Sequence, residues 1–381
     1  MNTVDRSESR SALRIAFIGG GSGGHLFPAI AVAHEMLSAD SKCRFLFLTS
    51  DRSVDRQVLE KSALPDSTTQ IEPYVTTSAW RGVVRSVAQV RLLLQSLSTA
   101  KRCLKIFQPD IVVGLGALAS VPGVFAASRM KLPVVLLEQN CLPGKATQAL
   151  ARSAKLTIFG LPVAAELLQS WPTPHQSCGT PVRIDIRKLI DTPVSDISAR
   201  KRILILGGSQ GAHSVNCIAS QALTEGLPLL SDWEIVHQTG IADVAAIREL
   251  YQRHGITARV AAFLPDMPEE LSSASIAISR AGAVTIQEMA CAGLPSILIP
   301  LSTAANKHQM INARLLEKAA AAYVIDEAHP TAVASTNAAL RMILSNVERR
   351  QNLSTAIRTF AAPNAAPEIV QILRNISRKT M

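Results

Sequence analysis

Residues 14–28 read RIAFIGGGSGGHLFP, and residues 202–213 read RILILGGSQGAH. Each stretch joins a short apolar run to a glycine loop and then to the start of a helical pattern. Continuous apolar runs are typical of parallel strands that are covered on both faces. A glycine loop between such a strand and a helix lets the backbone approach an anion at the helix N-terminus. The repetition of this unit predicts two Rossmann-like halves in one chain.

Strand and helix patterns alternate through both halves. Further strands are predicted at 44–49, 111–114, 134–138, 156–159, 234–237, 259–263, 276–279, 296–300 and 323–325. Helices are predicted at 30–38, 85–107, 212–224, 243–253 and 306–318. This alternation predicts an α/β fold with two doubly wound domains.

One polar stretch without periodicity, residues 184–200, interrupts the alternation. Its composition predicts a linker between a first domain, residues 1–183, and a second domain, residues 201–362. The segment 363–381 carries a last helical pattern after Pro363. We expect this helix to pack back onto the first domain.

The composition narrows the class of protein. A chain of 381 residues that is 48% hydrophobic and 18% charged can bury the cores of two domains. The net charge of +10 favours an anionic partner, which could be a nucleotide, a nucleic acid or an acidic lipid surface. Because aromatic residues make up only 4% and do not alternate with the basic clusters, no nucleic-acid partner is expected.

Cysteine usage and the N-terminus bear on the compartment. The six cysteines are scattered, without metal-ligand spacing, which indicates reduced thiols and no metal site. The first eleven residues lack the apolar segment of a signal peptide, so a cytoplasmic location is expected. Residues 111–128 are uncharged but contain glycine and proline, which favours a strand, a loop and a helix start over a membrane span.

The first glycine loop has two interpretations. Gly19, Gly21 and Gly24 satisfy the GxGxxG spacing, and Asp51 ends the next strand, as in dinucleotide-binding proteins. An NAD-binding oxidoreductase therefore stays an alternative. His25, which follows the last glycine, is not part of that pattern. An imidazole at this position suits proton transfer, although a packing or capping histidine fits the spacing equally well.

The second half offers a matching set of polar groups. After the loop 207–212, the stretch 279–288 (SRAGAVTIQE) gives another strand, loop and helix start. The N–H groups from Ala283 to Ile286 could bind a diphosphate, and Glu288 could accept hydrogen bonds from ribose hydroxyls or cap the helix. Other polar candidates at strand ends, at the domain boundary and at a helix start are Glu138, Gln139, Asn140, Arg183, His308 and Gln309.

The segment 73–109 contains no aspartate or glutamate. It combines basic residues with an apolar, Trp-containing pattern, which suits docking on anionic lipid. The candidates for the membrane-facing surface are Trp80, Arg81, Val84 and Arg85. The alternative is an ordinary core-facing helix with a solvated basic face.

Six motifs, taken in order over residues 13–325, resemble those of the MurG family of glycosyltransferases. GGSGGH at 20–25, followed by Phe27 and Pro28, resembles GGTGGH, and GLGALASVP at 114–122 resembles GxGGYxSxP. EQN at 138–140, TPVR at 180–183, GGSQGA at 207–212 and SRAGA at 279–283 resemble EQN, NPVR, GGSQGA and SRxGA.

The resemblance implies a GT-B fold and a single inverting displacement. N-acetylglucosamine would pass from UDP-GlcNAc to the 4-hydroxyl of undecaprenyl-diphospho-N-acetylmuramoyl-pentapeptide (lipid I), giving lipid II for peptidoglycan, cell shape and cell division. His25 would be the base, and Glu288 is the second catalytic candidate. No cofactor is implied, and the absence of a DxD motif fits metal-independent chemistry. The alternatives are another GT-B UDP-sugar transferase or a UDP-N-acetylglucosamine 2-epimerase.

The resemblance also implies the substrate contacts and the location. Ser22, Gly23, Gly24 and Asn140 would contact the sugar or the acceptor diphosphate. UDP would be bound by Arg183, Ser209, Leu264, Ala283, Val284, Thr285, Ile286, Gln287, Glu288 and Gln309, with His308 as a further polar contact. The enzyme would be peripheral on the cytoplasmic face of the inner membrane, with cell-wall synthesis proteins as partners. Ala117, Leu118 and Thr180 depart from the family's glycine, tyrosine and asparagine, and these departures bear on acceptor binding.

Overall fold

Two parallel sheets organise the chain. The computed structural model describes residues 12–21, 23–75, 87–208, 211–225, 230–302 and 307–378. The sheet of the first half has seven strands in the order β3-β2-β1-β4-β5-β6-β7. Its strands are β1 Arg14–Ile18, β2 Arg44–Ser50, β3 Thr69–Val75, β4 Ile111–Gly114, β5 Val134–Glu138, β6 Leu156–Phe159 and β7 His175–Ser177. Its helices are α1 Gly23–Ala39, α2 Ser53–Glu60, α3 Val87–Phe107, α4 Val121–Arg129, α5 Lys145–Leu150 and α6 Ala165–Gln169.

The sheet of the second half has six strands in the order β10-β9-β8-β11-β12-β13. Its strands are β8 Arg202–Leu206, β9 Glu234–Gln238, β10 Ala258–Ala261, β11 Ile276–Ser279, β12 Ser296–Leu298 and β13 Ala322–Val324. Two short helices precede it, α7 Ile184–Arg187 and α8 Val194–Ala199. The helices that follow β8 are α9 His213–Thr224, α10 Val244–Arg253, α11 Met267–Ser273, α12 Ala283–Ala292, α13 Lys307–Lys318, α14 Ala332–Leu344, α15 Val347–Arg358 and α16 Ala365–Arg378.

Both faces of each sheet are covered, as the apolar strands predict. In β1, Phe17 packs into one hydrophobic cluster and Ala16 into the cluster on the opposite face. In β8, Ile203 and Leu204 divide in the same way. Because successive side chains of a strand point to opposite faces, a strand between two cores must be apolar at every position. The predicted doubly wound α/β architecture is confirmed.

Each sheet reverses its strand order beside its first strand. The switch lies between β1 and β4 in the first sheet and between β8 and β11 in the second, and all of these pairs are parallel. In open parallel sheets, ligands bind outside the carboxyl ends of the strands at such a switch point. The loops after these four strands are therefore the places where the fold favours ligand binding.

The segments outside the two sheets join them. The predicted linker, 184–200, contains α7 and α8, and its residues Ile186 and Ile197 are fully buried. Helix α16 packs on α1, where Ile369 and Leu373 enter the core of the first sheet. The segments that precede and follow the second sheet in the chain thus pack between the two halves and link them.

Candidate active site

The first glycine loop is held by a buried carboxylate, Asp55 of α2. The Gly21 N–H donates to both Asp55 oxygens, at 2.8 and 2.7 Å, and the Ser50 hydroxyl donates to Oδ2 at 2.5 Å. A Cβ at Gly20 would lie 2.3 Å from Asp55 Oδ2, so this glycine is required by close approach. The carboxylate takes an N–H that a dinucleotide would use, and its charge opposes a pyrophosphate there. This geometry disfavours the NAD-binding alternative.

His25 lies in the first turn of α1, half-buried against the loop that follows β4. A Cβ at Gly116 would be 3.8 Å from both Nδ1 and Cε1 of the ring. The Nδ1 atom is buried and has no hydrogen-bond partner within the described chain. Burial lowers the pKa of His25, and the nearby Glu138 carboxylate opposes that lowering. The imidazole is therefore neutral at pH 7 and able to take up a proton.

Glu138, at the end of β5, is the second buried carboxylate of this site. It accepts hydrogen bonds from the Asn140 N–H at 3.1 Å, the Asn140 Nδ2 at 3.0 Å, the Gly144 N–H at 2.9 Å and the Thr147 hydroxyl at 2.6 Å. Burial lowers the pKa of His308 on α13, and the charge of Glu138 opposes this as it does for His25. One carboxylate of the first domain thus acts on an imidazole from each domain.

The start of α12 forms the opposite wall. Gly282 precedes the helix in an extended conformation, and the first N–H groups of a helix have no partner within it. They carry the positive end of the helix dipole, which suits a diphosphate. One turn further on, burial raises the pKa of the half-buried Glu288 carboxyl to about 7, and the Arg183 guanidinium partly opposes this rise. Neither the Arg183 nor the Glu288 side chain forms a hydrogen bond to another described residue.

Four positions that the resemblance assigns to UDP are already engaged within the protein. The Gln287 amide donates to Phe360 O at 3.2 Å and accepts from Thr180 N at 3.5 Å. Ile286 is fully buried, and its N–H bonds to Gly282 O. The Leu264 N–H donates to Gln238 Oε1 at 3.2 Å, and Gln309 Oε1 accepts from Leu301 N at 3.1 Å. Gln287 and Ile286 have no exposed side-chain surface to offer a ligand.

The remaining predicted residues divide into two groups. Gly23 and Gly24 are the first residues of α1, and Asn140 stands beside Glu138. Ser22, Ser209, Trp80, Arg81, Val84 and Arg85 lie outside the described residues.

Sequence reasoning missed an ion pair at the carboxyl edge of the second sheet. Arg280 donates to Glu327 at 2.7 Å, to Ile299 O at 3.0 Å and to the Ser214 hydroxyl at 2.7 Å. Glu327 also accepts from the Ser302 N–H at 2.8 Å. These bonds tie the start of α9, the loop before α12 and the loop after β12 together. The spacing of these residues in the sequence gave no signal for this contact.

The two domains share one cleft. Helices α1 and α12 contact each other, and α13 reaches the end of β5, where Asn312 Nδ2 donates to Asn140 Oδ1 at 3.0 Å. On another edge, Lys61 Nζ of the first domain lies 4.8 Å from the ring centroid of Phe263. No group of three or more His, Cys, Asp or Glu side chains within the described ranges is arranged to hold a metal ion.

Two Rossmann-like domains that face each other, with a helix N-terminus in one and a half-buried imidazole in the other, fit a nucleotide-sugar glycosyltransferase. Family models agree with this class. The glycosyltransferase family 28 N-terminal domain matches residues 15–158, and the family 28 C-terminal domain matches residues 202–369.

Relatives define the family more closely. A UDP-N-acetylglucosamine--N-acetylmuramyl-(pentapeptide) pyrophosphoryl-undecaprenol N-acetylglucosamine transferase of Thermodesulfovibrio yellowstonii is 34% identical, over 96% of this chain and 100% of that relative. The protein of the same name from Pseudomonas syringae pv. tomato is 33% identical, over 94% of this chain and 97% of its own. The chain belongs to the family of these N-acetylglucosamine transferases, which confirms the resemblance.

Solved structures agree with the fold. MurG of Acinetobacter baumannii has a TM-score of 0.74 and 27% identity, covering 95% of this chain and 99% of its own. UDP-GlcNAc 2-epimerase of Neisseria meningitidis, bound to UDP-GlcNAc, has a TM-score of 0.64 at 15% identity, which shows a common fold alone.

Proposed function

We propose that the chain transfers N-acetylglucosamine from UDP-GlcNAc to the 4-hydroxyl of lipid I, forming lipid II of peptidoglycan. The printed name of the relatives describes this transfer. The observation that carries the proposal is that the two walls of one cleft differ in chemistry, one suited to a diphosphate and the other to proton transfer. Glu288, Arg183 and the start of α12 form one wall, and His25 forms the other.

The donor belongs to the wall of the second domain, residues 201–362. The N–H groups of Ala283, Val284 and Thr285 would bind the diphosphate and stabilise the charge that grows on it as UDP leaves. Arg183, which reaches this wall from the domain boundary, would add a positive charge. Glu288 would accept hydrogen bonds from the ribose hydroxyls. UDP is the leaving group, so these contacts strengthen as the bond from the anomeric carbon to the phosphate oxygen breaks.

The acceptor belongs to the wall of the first domain, residues 1–183, on which α16 packs. Its 4-hydroxyl attacks the anomeric carbon from the face opposite UDP, so an α-linked donor gives a β-linked product. His25 takes the hydroxyl proton, and Glu138 stabilises the imidazolium that results. Asn140, Ser22, Gly23 and Gly24 would bind the sugar or the acceptor diphosphate.

The membrane side of the proposal uses α3 and α4. No helix in the described part of the chain is long and apolar enough to cross a bilayer. On α3, Val90 and Leu94 are 45% and 59% exposed, and exposed basic residues continue the same face. Phe125 of the adjacent α4 is 41% exposed, with Arg129 stacked 4.9 Å from its ring centroid. This surface would dock on the cytoplasmic face of the inner membrane, where cell-wall synthesis proteins would be partners.

A flotation assay with vesicles tests the docking. Leu94→Asp should reduce binding to anionic vesicles, because it places a negative charge on the docking face. Met342→Asp, at a residue of α14 that is 40% exposed, is the matched control and should bind like wild type. Equal binding by both variants would remove α3 from the docking surface.

UDP release in the presence of a short-chain lipid I analogue tests the transfer. We expect release to depend on the acceptor and to fall at least about a hundredfold in His25→Ala, the scale for losing a general base. Because the pKa of His25 is lowered, the acid limb of kcat/KM should lie below pH 6.5 in wild type. His254→Ala, at an exposed histidine of the second domain, is the control. Release without the acceptor, or at wild-type rate in His25→Ala, would contradict this mechanism.

A further inference from the structure

The two walls of the cleft are joined by one fully buried side chain, Asn312 of α13. Its Oδ1 accepts from Cys141 N at 3.1 Å, and its Nδ2 donates to Asn140 Oδ1 at 3.0 Å and to Ala281 O at 3.2 Å. A carboxamide has two N–H donors and one acceptor oxygen, so every group of Asn312 is in use. Bonds that join residues about 170 positions apart hold the two domains in this arrangement.

The chemistry of its partners fixes the orientation of Asn312. A backbone N–H can only donate and a backbone carbonyl can only accept, so Oδ1 must face Cys141 and Nδ2 must face Ala281. The Glu138 carboxylate accepts from the Asn140 Nδ2, so Asn140 turns its Oδ1 to Asn312. The chain of hydrogen bonds therefore has one direction, from Asn312 through Asn140 to Glu138.

Both ends of this chain lie at residues that the transfer would use. Ala281 lies two residues before the start of α12, where the donor diphosphate would bind. Glu138 accepts the bond from Asn140 and acts electrostatically on His25. Lys61 and Phe263 also connect the two domains, but neither touches Asn312, Asn140 or Glu138.

We propose that Asn312 is a positioning residue that couples the donor-binding domain to Asn140 and, through Glu138, to His25. This inference rests on the proposed function. Asn312 occupies the carbonyl of Asn140, and the Asn140 amide is thereby kept turned to Glu138. Without Asn312, the bond to Glu138 alone orients the Asn140 side chain, and the acceptor wall is less firmly set for transfer.

Asn312→Asp tests the coupling with little change in shape. The carboxylate still accepts from Cys141 N, but it cannot donate to Asn140 or Ala281, and it repels Glu138 across Asn140. We expect kcat for transfer to fall about tenfold to a hundredfold, as for a misaligned reacting group. The Kd of UDP, measured by calorimetry, should stay within about twofold, because no UDP contact is changed.

The control and a second variant keep the test independent of folding. Asn337→Asp changes another buried asparagine, whose Nδ2 donates to Ala222 O at 2.7 Å within the second domain, and it should retain kcat. In a double-mutant cycle, Asn312→Ala combined with Asn140→Ala should be no slower than the slower single variant, because both remove the same bond.

The outcomes separate the two proposals. Wild-type kcat in Asn312→Asp, a parallel loss of kcat and UDP affinity, or additive effects in the cycle would overturn the coupling while leaving the transfer intact. A wild-type chain that does not pass N-acetylglucosamine from UDP-GlcNAc to the lipid acceptor would instead overturn the proposed function.

Discussion

Replacing Glu288 by glutamine should stabilise the ligand-free protein at alkaline pH while weakening donor binding. Burial raises the pKa of this carboxyl from 4.5 to about 7, so the folded state prefers the protonated form. A group whose pKa is raised on folding contributes stability below its unfolded pKa and loses it as the pH rises through the folded value. At pH 8 the carboxylate is ionised in both states, and the folded state bears the cost of burying it.

The size of the effect follows from the two pKa values. The interval between 4.5 and about 7, at about 1.4 kcal/mol per pKa unit, corresponds to about 3 kcal/mol. The side chain is half-buried, so solvent screening reduces this to about 1–3 kcal/mol. Glutamine keeps the shape of the protonated acid and has no charge, so Glu288→Gln removes this cost. The same change removes a charged acceptor for ribose hydroxyls, which costs about tenfold in the Kd of UDP-GlcNAc.

Urea unfolding at pH 5 and at pH 8 measures the stability. The free energy of unfolding of Glu288→Gln should exceed that of wild type at pH 8, and the difference should shrink towards pH 5. Calorimetric titration with UDP-GlcNAc measures the binding. A variant that is less stable than wild type at pH 8, or a difference that is the same at both pH values, would refute the reasoning about Glu288.

Three further predictions concern the backbone and the buried charges around the cleft. Ala117 has φ 57° and ψ 164°, a region that only glycine adopts readily. Ala117→Gly should raise the free energy of unfolding by about 1 kcal/mol, because it relieves about 1–3 kcal/mol of backbone strain but gives the unfolded chain more conformational entropy. A variant that is less stable than wild type in urea unfolding would contradict this. Asp55→Asn should destabilise by about 1–3 kcal/mol, since one of the loop's acceptor oxygens is lost, and an unchanged unfolding midpoint would count against the carboxylate's role. Glu327→Gln should cost about 1–3 kcal/mol and weaken UDP binding, because it leaves the partly buried Arg280 without its charged partner. Its control is Glu317→Gln, in a largely exposed ion pair, which should cost less than about 1 kcal/mol. Equal losses in the two variants would argue against a stabilising role of the Arg280–Glu327 ion pair.

The sequence predicted the central strands of both sheets and missed the two edge strands of the first. β3 contains Glu72 and Pro73, and β7 consists of three exposed residues. A central strand is buried on both faces and must be apolar, whereas an edge strand has one neighbour and tolerates charge and proline. The apolar pattern is therefore lost at β3 and β7, where burial does not impose it, although β10 and β13 at the edges of the second sheet keep enough of it to be predicted.

Some residues of the site could be predicted from local sequence, whereas others depend on partners far away in the chain. Glycine loops and helix starts could be predicted because their spacing is local to the chain. Asp55 and Asn312 could not, because their roles depend on partners 34 and 171 residues away. Nothing in the pattern of α2 or α13 separates these side chains from ordinary polar residues of a helix. Only the register between elements shows that both belong to the cleft.

Asp55, Glu138 and Glu288, three carboxylates beside this cleft, differ in their hydrogen bonds, and the difference separates two roles. Asp55 and Glu138 are buried and receive donors from their own domain, so the folded chain satisfies their charge before any ligand arrives. Glu288 has no such donor among the described residues, and its pKa is raised accordingly. A partly buried carboxylate that lacks donors is costly, and the cost is recovered when a ligand supplies hydroxyl groups. Asp55 and Glu138 therefore shape the cleft, whereas the Glu288 carboxylate keeps free acceptor capacity for the hydroxyl groups of the proposed donor.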